Sequence, residues 1–323
     1  MILSPSRSWP WLAACAAALV LPAAAEAAET RYVATNGVNN DDCSLNQPCR
    51  TLQRGVNRTP DGGELIVLNS GDYGASLTIT RSITISADGV TATLTNPGGI
   101  TIGNPDAVVT LRGLHLKGAG VSGVSGILVQ RATAVHIERC TIEGFNSRGI
   151  YFTRDNAQLF ITDSIVRNNG LSGLQVEASN VTVAIDNSRF ENNGSNGVMF
   201  VGATQATITR SISSGNNVNG ITQNTGRLNV TGTTTAHNGS HGYLAITGGE
   251  MTLESSVARG NGGSGLRVAS GSSRARVSRS VFTDNNIGIS NNGGNVQTFQ
   301  NNILLGNNTN LSNSGTVTTP APF

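Results

Sequence analysis

The chain has 323 residues, 40 of them glycine, with 12% charged residues and a formal net charge of +2. So small a charge, with arginines and the single Lys117 scattered along the chain, excludes the basic field a nucleic-acid groove needs. Abundant Gly, Ser, Thr and Asn point away from helices, and the length suffices for a large core.

In chain order, Arg7 is followed by the apolar run WPWLAACAAALVLPAAA and then small residues, the layout of a signal peptide over residues 1–28. The run is too short and Ala-rich for a membrane anchor, so the mature chain is expected to be secreted or periplasmic, without an integral membrane segment. Leu12-Ala13-Ala14-Cys15 has the look of a lipoprotein box, but the main apolar run follows Cys15 instead of preceding it.

Residues 29–63 read as an N-terminal cap. Cys43 and Cys49 lie six apart, and in an oxidising compartment the simplest reading is a local disulfide. A metal site is weaker, because no His lies near the pair. Asn39, Asn40, Asp41 and Asp42 form either a polar turn or a Ca²⁺ loop. Thr51 is placed to cap a short helix, TLQRGVNR, before Gly62-Gly63 lead into the strand ELIVL.

Beyond residue 64 a Gly followed by an apolar residue recurs at Gly126, Gly149, Gly173, Gly197, Gly220, Gly242, Gly265 and Gly288, an interval of about 23 residues that marks a repeat array. An Asn column follows at the same period: Asn169, Asn193, Asn216, Asn238, Asn261, Asn285 and Asn307, with Phe145 in the first unit. A small polar column holds Cys140, Ser164, Ser188, Ser211, Thr233, Ser256, Ser280 and Asn302. Each unit contains two or three short alternating segments separated by Gly and Asn turns, and no helical period survives.

This predicts an all-β chain: a parallel β-helix of about ten rungs over residues 64–310, stacked ~4.8 Å apart. Residues 311–323 are expected to be a short tail with no outer-membrane barrel. Stacked Asn side chains pass hydrogen bonds along the axis while adopting the left-handed backbone of the bend. Cys140, standing in the Ser/Thr column, is expected to be a buried, inert thiol.

Tyr32-Val33, Pro48-Cys49, Thr51-Leu52-Gln53, Gly62-Gly63 and Gly71-Asp72-Tyr73 together resemble the opening segment of secreted bacterial right-handed parallel β-helix proteins of the pectate-lyase-like superfamily. The resemblance covers nearly all of the mature chain and specifies fold more than activity. It implies the polysaccharide chemistry of lyases, hydrolases or epimerases, with acids and bases on exterior columns, and Ca²⁺ if the protein is a lyase. The Asn-Thr-Asp, Gly-His-Gly and Arg-Ile-Lys strings of polygalacturonases and the Asp-Pro-His-Asp of mannuronan epimerases are absent.

The catalytic candidates are Glu138 and Asp186 on one exterior column two rungs apart, Asp163 beside it on the rung between, and Arg189, with His136 nearby. Two rungs is ~9.6 Å, at the wide end of the separation used by inverting glycosidases. A surface ion-pair ladder competes, with Arg139 against Asp163, and Glu143, Arg167 and Glu191 alternating in sign. Beside the Gly anchors, the column Leu128, Tyr151, Gln175, Met199, Thr222, Leu244 and Arg267 offers Tyr151, Gln175 and Arg267 as carbohydrate contacts. A further exterior column is apolar at Ile165, Ile212, Val257, Val281 and Ile303, so either something covers it or its in-out assignment is shifted by one. His237 and His241 flank one turn, two ligands short of a metal shell.

The function expected is an exported monomer that binds polysaccharide or cell-envelope glycan along one face, without cofactor or resident metal. The alternatives are a polysaccharide lyase or hydrolase, and a structural or adhesive surface protein.

Overall fold

The computed structural model describes residues 29–39, 42–74, 76–96 and 98–319. The expected signal peptide, Asn40 and Asp41 lie outside them.

The chain winds into a right-handed parallel β-helix with three faces, called here its first, second and third sheets; the first two are joined into one 22-stranded sheet and the third has 11 strands. The first sheet carries the Gly-anchored strands, among them Ile127–Arg131, Ile150–Phe152, Leu174–Val176, Tyr243–Ala245 and Ser264–Val268. The second stacks Ala134–Glu138, Gln158–Thr162, Val181–Asp186, Glu250–Glu254 and Arg274–Ser278, and the third Thr141–Glu143, Ile165–Arg167, Arg189–Glu191 and their equivalents. Val198–Thr209 and Ile221–Thr231 run through the bend between the first two sheets. The last rung extends through Thr316–Thr318, into residues expected to be tail.

Alternation explains the core. In each strand the inward residues, such as Ile150 and Phe152 or Val183 and Ile185, are buried and stack on their counterparts one rung away. The apolar column of the third sheet faces outward as read, because Val166, Phe190, Ala258 and Phe282, one residue further on, fill the interior.

Both flanking bends share one local grammar: a residue in the left-handed region, then a buried polar residue. Asn168, Asn192, Gly215, His237, Gly260, Asp284 and Gly306 have φ between 52° and 72°. The next residue in each case is a member of the Asn ladder. The ladder Asn therefore does not itself take the left-handed backbone; its predecessor does, from the residue types that tolerate it best. The other bend repeats the pattern with Asp163-Ser164, Asn187-Ser188, Arg210-Ser211 and Arg279-Ser280.

From Asn193 onward, each ladder amide oxygen accepts twice from the rung before it. Asn193 Oδ1 takes the Asn169 backbone N–H at 3.2 Å and its Nδ2 at 3.0 Å, and Asn216 Oδ1 does the same for Asn193 at 3.0 Å. The chain of bonds continues through Asn238, Asn261, Asn285 and Asn307. In the Ser column each hydroxyl accepts a backbone N–H from the rung before and donates to the carbonyl two residues earlier, as Ser188 does to Asp186 O at 2.8 Å. A hydrogen bond contributes ~1 kcal/mol net, but a buried polar group left without one costs more.

The Gly anchors make room for this ladder. A Cβ on Gly173 would fall 2.8 Å from Asn193 Nδ2, and one on Gly197 would fall 2.0 Å from Ser213 Oγ and 2.8 Å from Asn216 Nδ2. The recurring Gly is thus a packing requirement.

Cys43 and Cys49 form the disulfide of the cap. Thr51 caps the helix Leu52–Arg58 by accepting the Arg54 N–H at 3.3 Å. Gln53 then bonds both backbone groups of Thr78, docking the helix on the first rung. Cys140 is buried, and burial pushes its thiol up to about 12.

Candidate functional site

The second sheet places Glu138, Thr162 and Asp186 on one outward column, as the repeat predicts. The Glu138 carboxylate accepts Arg112 Nε at 2.8 Å, and Asp186 is held by Thr209 and Arg210 of the following rung. Glu254 is bound in the same manner by Ser278 and Arg279. Asp163 accepts Asn187 Nδ2 at 2.6 Å, and Arg189 is turned onto Glu191 at 2.6 Å. On the third sheet, burial raises the Glu143 carboxyl pKa, yet hydrogen bonds and charges from Arg167 and His115 outweigh it, leaving Glu143 below the usual carboxylate range.

A shallow groove of about 340 Å³ is lined by Asp163, Asn187, Arg189, Arg210 and Ile212. It gathers Asp163 and Arg189 but not Glu138 or Asp186. His136 stacks on Phe160 of the next rung at 4.6 Å, an arrangement that holds its ring against the sheet.

On the first sheet, Leu128, Tyr151, Gln175, Met199, Thr222, Leu244 and Arg267 follow one another in register. One face of the Tyr151 ring is covered by the Arg148 guanidinium at 4.3 Å. Its hydroxyl donates to Glu177, and burial, with the Glu177 hydrogen bond and charge, pushes the phenol above its ordinary value. Gln175 bonds both Arg148 and Glu177 and is only 8% exposed. Arg267 lies five rungs beyond Tyr151, beside His241.

A strongly charged recess lies elsewhere. On the second sheet, Arg227, Glu250 and Arg274 share one outward column, and Asn229, Thr252 and Arg276 the next. Together they line a groove of about 320 Å³, in which three guanidiniums face one carboxylate. Glu250 lies 3.4 Å from Arg227 and 3.7 Å from Arg274, so it answers both loosely. An adjoining recess of about 270 Å³ continues over Arg274, Arg276, Asn295 and Gln297. The sequence signal was the alternation Arg274-Ala275-Arg276, two arginines on the outward side of one strand.

Comparison with known proteins adds the following. Residues 64–227 match the family described as right-handed β-helix region, and residues 176–320 match the one described as periplasmic copper-binding protein (NosD). No curated protein matches the chain. Among solved structures, the A-module of the Azotobacter vinelandii mannuronan C-5 epimerase AlgE4 is 16% identical, with 80% of this chain and 91% of that chain covered and a TM-score of 0.62. The periplasmic alginate epimerase AlgG is 12% identical over 84% of this chain and 82% of that chain, with a TM-score of 0.58. At such identities the likeness is one of fold.

Copper does not fit the described residues. Among the described residues no three His, Cys, Asp or Glu side chains converge. His237 lies against Gly260, whereas His241 lies against Gly263 with its Nδ1 taken by a backbone N–H and its Nε2 facing a cationic guanidinium. Among the described residues, too, no helix is long and apolar enough to cross a membrane. The right-handed β-helix match spans just over half of the chain and coincides with the rungs, so the protein belongs to the right-handed β-helix region family.

Proposed function

We propose that the protein is exported and binds an acidic polysaccharide along the outer face of its second sheet. The observation that carries this reading is the groove in which Arg227, Arg274 and Arg276 face the single carboxylate of Glu250. Arg227 and Arg274 stand two rungs apart, ~9.6 Å along the axis, so the recess presents repeated positive charge to a linear polymer lying parallel to the solenoid. Guanidiniums suit carboxylates because their planar fork matches two oxygens, and a charge-assisted hydrogen bond contributes ~1.5–3 kcal/mol.

Export is supported by the leader-like first 28 residues, by a disulfide of the kind kept in oxidising compartments, and by the partial match to a family named as periplasmic. The polysaccharide class agrees with the names of the two structural neighbours, which carry mannuronan and alginate.

The test is affinity electrophoresis of the mature protein through gels containing acidic or neutral polysaccharides, with reducing-sugar and unsaturated-end assays on the same mixtures. Retardation by acidic polymers alone, lost in Arg274→Gln/Arg276→Gln, is the expected result. Migration unaffected by any acidic polymer would contradict it. Product formation abolished by Asp186→Ala would instead make the protein a lyase or hydrolase.

A further inference from the structure

The interior ladders pair every donor with an acceptor, but on the outer face of the first sheet two donors point at each other. His241 precedes the strand Tyr243–Ala245, and Arg267 stands on the next rung, in register with Leu244. The Ser264 backbone N–H donates to His241 Nδ1 at 2.9 Å. A neutral imidazole has one accepting and one donating nitrogen, so its proton sits on Nε2. That nitrogen faces Arg267 Nη1 at 3.3 Å, and a guanidinium has no lone pair to offer it.

Protonating the ring would make the conflict worse. A second proton, on Nδ1, would oppose the Ser264 N–H, and the new charge would oppose Arg267. Burial and Arg267 accordingly pull the His241 pKa down to about 4. An independent sign points the same way: Arg267 Nε is buried with no hydrogen-bond partner, and no carboxylate pairs with this guanidinium among the described residues. Thr222 and Asn219, only 2% and 6% exposed, occupy the preceding rung, and their own polar atoms are bound to Asn196 and to the His241 N–H. On the following rung Ser290, in register with Arg267, gives its hydroxyl proton to Asn292 Oδ1 at 2.9 Å.

We propose that His241 and Arg267 form a binding site for one carboxylate, whose oxygens accept from His241 Nε2–H and from the Arg267 guanidinium. A carboxylate is acceptor-only and planar, so it resolves the donor–donor contact and supplies the missing partner of Arg267 in one step. The site rests on unpaired donors of the first sheet and does not require the second-sheet groove. It does share a rung with Arg274 and Arg276, so a uronate residue of a bound polymer and a free sugar acid are both sources of the carboxylate.

Long-range ¹⁵N–¹H correlation spectra of the mature protein identify the His241 tautomer directly, with His241→Gln assigning the signal. Titrations would use an oligogalacturonate, free glucuronate and a neutral oligosaccharide of matched length. Expected are the Nε2–H tautomer, a shift of its signal with carboxylates only, and at least ~10-fold weaker carboxylate binding in Arg267→Gln. Oligomer binding also weakened by Arg274→Gln/Arg276→Gln would assign the carboxylate to a polymer; equal response to free glucuronate would assign it to a sugar acid. An Nδ1–H tautomer, a silent His241 signal with both carboxylates, or unchanged affinity in Arg267→Gln would overturn the site. A responsive His241 with an indifferent groove variant would remove the groove reading alone.

Discussion

The bend that carries the Asn ladder and the outer face that carries His241 and Arg267 put polar side chains to opposite ends. At the bend, the Asn amides from Asn193 to Asn285 are buried, accept twice and donate to a carbonyl of an earlier rung, as Asn216 Nδ2 does to Phe190 O at 3.1 Å. On the outer face, His241 Nε2–H and Arg267 Nε end without acceptors. Polar groups that complete one another hold the fold together; polar groups left incomplete, on a rigid sheet, are what a ligand can complete.

Breaking the inner side of this contrast should cost most. Asn216→Ala removes the acceptor of two buried donors on Asn193 and interrupts the ladder, and it is expected to lower unfolding free energy by about 3 kcal/mol, read by urea denaturation. Gly197→Ala drives a methyl into Ser213 Oγ and Asn216 Nδ2, and about 2 kcal/mol is expected, without a change in ligand affinity.

The outer side predicts a pH effect. His241 is held neutral in the folded chain to about pH 4, whereas the unfolded chain takes up its proton near the ordinary value of 6.5. The unfolded state therefore binds more protons between these values, so stability rises from pH 4 to pH 6.5 and this contribution is lost on acidification. Urea midpoints across that window should rise less steeply in His241→Gln. The smallest effect is expected for Cys140→Ser, which restores the residue type of its column: stability within about 1 kcal/mol of the parent. Native Cys140 should remain unreactive toward thiol reagents until unfolding, given its burial and raised pKa.

The rungs were readable because stacking imposes one residue type per column, so Gly, Asn and Ser recur at the rung period. The disulfide and the Thr51 cap were readable from local spacing. What escaped was the division of labour within Asn-Asn-Gly: one-dimensional pattern shows two Asn, but only backbone angles show that the first turns the chain and the second bonds along the axis. The arginine groove escaped because its members belong to three rungs and no short motif unites them. Tyr151, Gln175 and Arg267 were placed on the correct column, yet the cover of Arg148 over Tyr151 and the donor conflict at Arg267 depend on side chains from neighbouring turns. Columns are a property of sequence period; pairing across them is a property of rotamers.

The most direct test of the account is calorimetric titration of the mature protein with a charged and a neutral oligosaccharide of equal length, at low and high salt, in the parent and in Arg274→Gln/Arg276→Gln. Binding of the acidic oligomer only is expected, weakened by salt and by at least ~10-fold in the variant. Equal binding of the neutral oligomer, or an affinity indifferent to both arginines, would contradict it.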